Sequence, residues 1–178
     1  MAERLSGTAL HLVDGGIVGP PAWQEGTTRF YLSGDRANEV QALFEGSLVD
    51  ARIVGEPIGA ASALKMVYAA WTKGGDALLL AIRALASAEG VESALVEEWG
   101  ISQAGTVARS EKAAAKNGAK AWRFEGEMHE IAETFAGAGL PDGFHLGAAE
   151  IYRRMAGYKD YAGEPSIDEV TATLNRAG

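Results

Sequence analysis

Cysteine is absent from this chain of 178 residues. That excludes a disulfide framework, a thiolate zinc site and a thiol nucleophile, and it fits a reducing compartment. Basic side chains are scarce: 16 Lys and Arg stand against 24 Asp and Glu, a formal net charge of -8. Such a surface repels phosphate backbones and anionic lipid, so neither nucleic acid nor a membrane is an expected partner. A long hydrophobic run is missing too. The most apolar stretch, Ala77 to Ala88, is too short to span a bilayer and contains Arg83. The first residues, Met1-Ala2-Glu3-Arg4-Leu5-Ser6-Gly7, lack the basic-then-apolar pattern of a secretory signal. The chain therefore reads as soluble and cytoplasmic. What it does have is a 47% hydrophobic composition, enough for a real core in one compact unit with an appendage.

Two periodicities divide the chain. Leu10 to Val13 and Arg29 to Ser33 are short apolar, β-branched and aromatic runs separated by Gly19-Pro20-Pro21 and Gly26, the pattern of two paired strands. Gly34-Asp35 then leads into Ala37, Val40, Leu43 and Phe44, spaced as one face of a short helix. Ala51 to Val54 before Gly55 reads as a third strand. The result is a β-β-α-β segment with too few strands to bury much alone. From Pro57 onward the signal is helical. Ile58 to Glu89 has no proline and is rich in Ala, Leu, Met and Lys, which predicts one helix of about 45 Å. Gly74-Gly75 in its middle implies a bend or the close approach of another backbone, and close packing is the expected reason. Further helices are expected over Val91 to Trp99, Thr106 to Gly118, Glu125 to Gly137, Phe144 to Gly157 and Ser166 to Arg176.

Lys65 is the leading candidate for chemistry. An uninterrupted helix would place Ser62, Lys65, Thr72 and Asp76 along one stripe beside apolar Ala61, Leu64 and Leu79. A buried lysine there, its pKa lowered, would protonate an oxygen or nitrogen. A lysine reaching for solvent or pairing with Asp76 of a neighbouring copy is the plainer alternative. Gly15-Gly16 and Gly19 run into Pro20-Pro21 rather than a helix, so they do not form the dinucleotide fingerprint. Gly55 and Gly59 follow a strand and open a helix, a place for an anion or simply a tight turn. His11, His129 and His145 show no metal-binding spacing. His145 falls at a helix start, where the dipole favours a neutral imidazole able to contact substrate; a structural histidine is the alternative. Trp23, Trp71, Trp99, Trp122, Tyr68 and Phe124 offer aromatic wall for a pocket or for the core.

Three stretches, Val13-Asp14-Gly15-Gly16-Ile17-Val18-Gly19-Pro20-Pro21, Gly26 to Gly34 and Gly55 to Met66, together with Lys73-Gly74, resemble the carboxyl-terminal part of the β-hydroxyacid dehydrogenase superfamily. The 6-phosphogluconate-dehydrogenase-like branch and its imine-reductase-like relatives look nearest, and Gly-Ala-Ala-Ser-Ala-Leu-Lys-Met, residues 59–66, is the most specific part. The resemblance implies NADP or NAD on an amino-terminal Rossmann domain and a lysine on the long helix as general acid or base. By motif that lysine is Lys65. Its usual companion asparagine, four residues on, is Ala69 here, and the Ser-Gly-Gly substrate loop is Val18-Gly19-Pro20. A Lys-Asp pair of a later helix aligns with His129-Glu130. These departures point to a different, less acidic substrate than a hydroxyacid, or to no hydride transfer in this chain. The resemblance also implies a homodimer sharing the long helix. A small-molecule pocket would lie where Lys65, Ser62, Tyr68 and Thr72 face the Val18 to Trp23 loop, with His145.

The expected architecture is mainly α: an all-helical dimerisation domain over 56–178 built on one long helix, preceded over 1–55 by a truncated Rossmann-type β-β-α-β remnant. The expected function is the substrate-binding and dimerisation part of an NAD(P)-dependent oxidoreductase of β-hydroxyacid dehydrogenase or imine-reductase type, not redox-competent alone. The alternatives are a naturally shortened, cofactor-free enzyme of isomerase or cyclase type, a small-molecule-binding dimer using the same pocket, and a dimer with no chemistry. If the chain is complete, no nicotinamide binding is expected, because no segment supplies the pyrophosphate site.

Overall fold

The computed structural model describes residues 11–176, which form two compact units, 11–68 and 69–176, meeting in sequence at Tyr68 and Ala69. The fold is mainly helical with a small three-stranded sheet.

In the first unit, β1 (Asp14–Val18) pairs antiparallel with β2 (Thr28–Ser33), and β2 pairs parallel with β3 (Val49–Gly55) across the short helix α1 (Ala37–Ala42). The β-β-α-β order expected from the sequence is present. The first strand is displaced, however. It runs over Asp14–Val18 rather than Leu10 to Val13; Leu10 lies outside the described residues, and 11–13 have no regular structure. Composition hid this strand because two of its five residues are glycines. They are required by packing: a Cβ at Gly15 would stand 2.6 Å from the Phe30 ring, and one at Gly16 would stand 2.7 Å from the Ala61 carbonyl oxygen. Val18, Leu32, Ala37 and Ala61 are buried, and Phe30 meets Phe44 edge to face at 5.2 Å. Ile17, Ile53 and Val54 remain exposed, as expected of a sheet too small to hide both faces.

The helix α2 (Ala60–Ala69) runs to the junction of the two units in sequence. The single long helix expected from Ile58 to Glu89 is divided: after α2 comes a π-helical turn, Ala70–Gly74, and then α3 (Gly75–Ala88). Within the second unit, two distant side chains accompany that turn. Tyr152 donates its hydroxyl hydrogen to the Lys73 carbonyl at 2.7 Å, and the His145 imidazole bonds the backbone of Ala70. Carbonyls displaced from the ordinary helical ladder are thus satisfied from outside it. The glycines here make room for side chains rather than for another backbone. A Cβ at Gly74 would press on the His145 ring at 3.3 Å, and one at Gly75 would approach the Arg109 guanidinium to 2.9 Å.

The rest of the second unit comprises α4 (Glu92–Ser102), α5 (Thr106–Asn117), α6 (Ala121–Gly137), α7 (Gly143–Arg154) and α8 (Ile167–Arg176), with 3-10 turns at Gly118–Lys120 and Ala156–Asp160. These match the expected helices to within a few residues at their ends. Helix α6 packs along α7, and α3 packs against both α5 and α8. Leu80, Met128, Ile131, Tyr152, Met155, Val170 and Leu174 form the core. Met128 is fully buried while its neighbours His129 and Glu130 face solvent. Arg83 is buried as well. It donates to Glu92 Oε1 through Nε at 3.0 Å and Nη2 at 2.7 Å, and to Ser110 Oγ at 2.9 Å. A buried guanidinium is tolerable because these partners are in place.

Candidate functional site

In the first unit the N-terminus of α2 is fastened to the sheet by polar side chains. The Asp14 carboxylate accepts the Ser62 amide at 2.8 Å and the Ser62 hydroxyl at 2.5 Å, and the Ser33 hydroxyl at 3.3 Å. Ser33 Oγ in turn accepts the Ala61 amide at 3.2 Å. Two of the amides that a helix leaves unpaired at its start are thereby satisfied. Burial would push the Asp14 pKa up, but the bonds from Ser62, Ser33 and the Gly15 amide outweigh it and hold the carboxyl below its usual range.

Lys65 follows one turn after this anchor, its Cβ facing Gly16 of β1. Its side chain is exposed, so the burial expected to tune it is not supplied by the described residues of this chain. Ser62 is the anchor itself. Val18 is buried at the end of β1 and Gly19 and Pro20 are exposed just after it; Gly19 has φ +120°, and the Pro20 carbonyl accepts the Thr28 hydroxyl at 2.5 Å. Tyr68 is half-exposed near the end of α2. Thr72 lies in the π-helical turn, so the uninterrupted helical period behind the predicted Ser62, Lys65, Thr72 and Asp76 stripe does not hold.

Two concavities of the second unit involve residues singled out in the sequence. The larger, about 510 Å³, lies between residues 70–81 and 143–151 and is walled by Trp71, Leu78, Phe144, Ile151 and several glycines and alanines. Its sole ionisable lining group is His145, only 7% exposed, with Nδ1 buried and without a hydrogen-bond partner among the described residues. Burial pushes the imidazole pKa down, only partly opposed by the bond to Ala70, so the ring is neutral near pH 7. It packs against Phe135 with ring centres 4.5 Å apart. Neutrality at this helix start was expected from the dipole; burial of the ring favours it as well. The smaller concavity joins Thr72 and Trp71 to Asp76 and to Arg109, Lys112, Lys116 and Asn117 of α5. Asp76 is held within the chain: Oδ1 accepts Arg109 Nε at 3.1 Å and Oδ2 accepts Asn117 Nδ2 at 3.2 Å. Sequence reasoning missed this cleft. Its one legible trace is the i, i+3, i+7 spacing of three cations on α5.

A nicotinamide dinucleotide needs a strand-to-helix turn whose free amides receive its pyrophosphate. The described residues do not fit that requirement. The turn into α2 directs its Ala61 and Ser62 amides to Ser33 and Asp14, so the anion it holds is the chain's own. Nor do the described residues contain a cluster suited to a metal ion, or a helix long and apolar enough to cross a membrane.

A profile of a domain of unknown function, DUF1932, matches residues 86–155. Among solved structures, a conserved hypothetical protein from Sinorhizobium meliloti 1021 is 26% identical with a TM-score of 0.73, over 92% of this chain and 56% of that one. The conserved protein MTH1747, of unknown function and described as structurally similar to 3-hydroxyacid dehydrogenases, is 24% identical with a TM-score of 0.65, over 84% of this chain and 57% of that one. The chain thus spans somewhat over half the length of these neighbours. No curated protein shows a significant match. The chain shares its fold with both of these solved structures over most of its length.

Proposed function

We propose that this chain is the substrate-side and dimerisation part of an NAD(P)-dependent oxidoreductase of 3-hydroxyacid dehydrogenase or imine-reductase type, with Lys65 as its acid/base. The observation that supports it is the fixed placement of Lys65: the bonds from Asp14 and Ser33 to the first turn of α2 pin the helix, and the exposed side chain leaves the ammonium available to a substrate. Its role is to hold and transfer a proton at the oxygen or nitrogen of the reacting C=O or C=N group. Ala69 stands where the superfamily's companion asparagine is expected, which favours a less acidic substrate than a hydroxyacid. The nicotinamide cofactor is assigned to residues other than those described. The second copy in the dimer is the element that would desolvate Lys65.

The test is NADPH and NADH oxidation by the protein as its gene encodes it, over a panel of β-keto acids and cyclic imines. Lys65→Met should lower kcat by at least about 10²-fold, the size of a lost general acid. Unchanged kcat and an unchanged pH profile in Lys65→Met would overturn the assignment. The apolar pocket beside His145 favours a second reading, a cofactor-free binding protein for an uncharged apolar small molecule. Under that reading such ligands shift the resonances of α7 without cofactor, and Lys65→Met leaves their binding intact.

A further inference from the structure

We propose that the cleft between the π-helical turn and α5 is a binding site for the phosphate group of a small phosphorylated molecule. The cleft measures about 280 Å³ and lies wholly within the second unit.

The cleft is built, and more than a chance grouping of surface charge. Arg109 is fixed on three sides. Its guanidinium stacks over the Trp71 ring at 4.8 Å, its Nε and Nη2 engage Asp76 Oδ1 at 3.1 and 3.0 Å, and Gly75 supplies the space beside it that any side chain would fill. Both carboxylate oxygens of Asp76 are committed, Oδ1 to Arg109 and Oδ2 to Asn117, so the one acid lining the cleft is neutralised by the arginine. Lys112 and Lys116 remain. They sit one helical turn apart on the same face of α5 as Arg109, and neither has an ion-pair partner among the described residues. Five other arginines are matched by carboxylates: Arg36 by Glu39, Arg52 by Asp50, Arg83 by Glu92, and Arg153 and Arg154 by Glu150.

The cleft therefore carries two uncompensated positive charges in a chain of net charge -8. Two ammonium groups on one helix face, beside a pre-oriented guanidinium, offer several donors to one compact dianion. A phosphate monoester has that charge and three terminal acceptor oxygens; a monocarboxylate has half of it. The site is independent of the Lys65 reading and survives its failure.

The experiment titrates 15N-labelled protein with inorganic phosphate and with glycerol phosphate, at constant ionic strength, following the amides of 72 and 109–117. Saturable shifts confined to these residues are expected with both probes, and tighter binding of the ester would identify an organic phosphate as the natural ligand rather than the free ion. Lys112→Ser with Lys116→Ser, both at exposed positions, should weaken binding about tenfold or more, the loss of at least one charged hydrogen bond of about 1.4 kcal/mol. Equal shifts with chloride, equal binding of acetate, or unchanged affinity in the double variant would each overturn the proposal. The single variant Lys65→Met should leave phosphate affinity unchanged.

Discussion

Replacing Asp14 tests the anchor that places Lys65. Asp14→Ala removes the acceptor of the Ser62 amide and hydroxyl and of the more distant Ser33 hydroxyl. The helix-start amide is comparable to a lost N-cap, about 1 kcal/mol, and a hydroxyl bond to a carboxylate contributes about 1.5 kcal/mol. Partial exposure of the site lets water replace some of this, so the net loss should be about 2 kcal/mol. At an m-value of about 2 kcal/mol/M this moves the urea midpoint down by about 1 M. Asp14→Asn keeps one acceptor oxygen and should lose about half as much. The pH dependence follows from the lowered carboxyl pKa of the folded state. The stabilisation is complete above the unfolded carboxylate pKa of about 4 and disappears as pH falls through the lower folded value. The gap between wild type and Asp14→Asn should therefore be constant from pH 5 to 8 and narrow in acid, on the order of 1 kcal/mol at most. A difference below about 0.5 kcal/mol at neutral pH, or one that does not change in acid, would refute the anchor.

Three other outcomes follow from the structure. Arg83→Met should destabilise by about 2 kcal/mol in chemical denaturation, less than for a fully buried pair because Glu92 is 28% exposed and can rehydrate; a double-mutant cycle with Glu92→Gln should show coupling. Gly16→Ala should lower the melting temperature by several degrees, because its Cβ would meet the Ala61 backbone oxygen at 2.7 Å; a melting temperature equal to wild type would mean that β1 and α2 are less closely packed. His145 has a lowered pKa, so its contribution is complete above the unfolded value of about 6.5 and lost as pH falls below it; His145→Phe should abolish this acid-side decline in thermal melts between about pH 7 and 5.

The sequence by itself determined what depends on neighbours along the chain. Glycine and proline punctuation and the change of period near Pro57 placed β2, α1, β3 and the later helices, because turns and amphipathic faces are written locally. The strand-to-helix turn at residues 55–60 was legible for the same reason, since its glycines and Pro57 act within a few residues of one another. Contacts between distant segments were decided only by the tertiary structure. The strand at Asp14–Val18 was hidden because Gly15 and Gly16 answer to Phe30 and Ala61 rather than to strand propensity. The π-helical turn at Ala70–Gly74 was hidden because the side chains that donate to backbone carbonyls there, Tyr152 and His145, come from α7. The exposure of Lys65, the burial of His145 and the stacking of Arg109 on Trp71 have the same origin. Solvent access and charge pairing are properties of the folded surface, which no local pattern records.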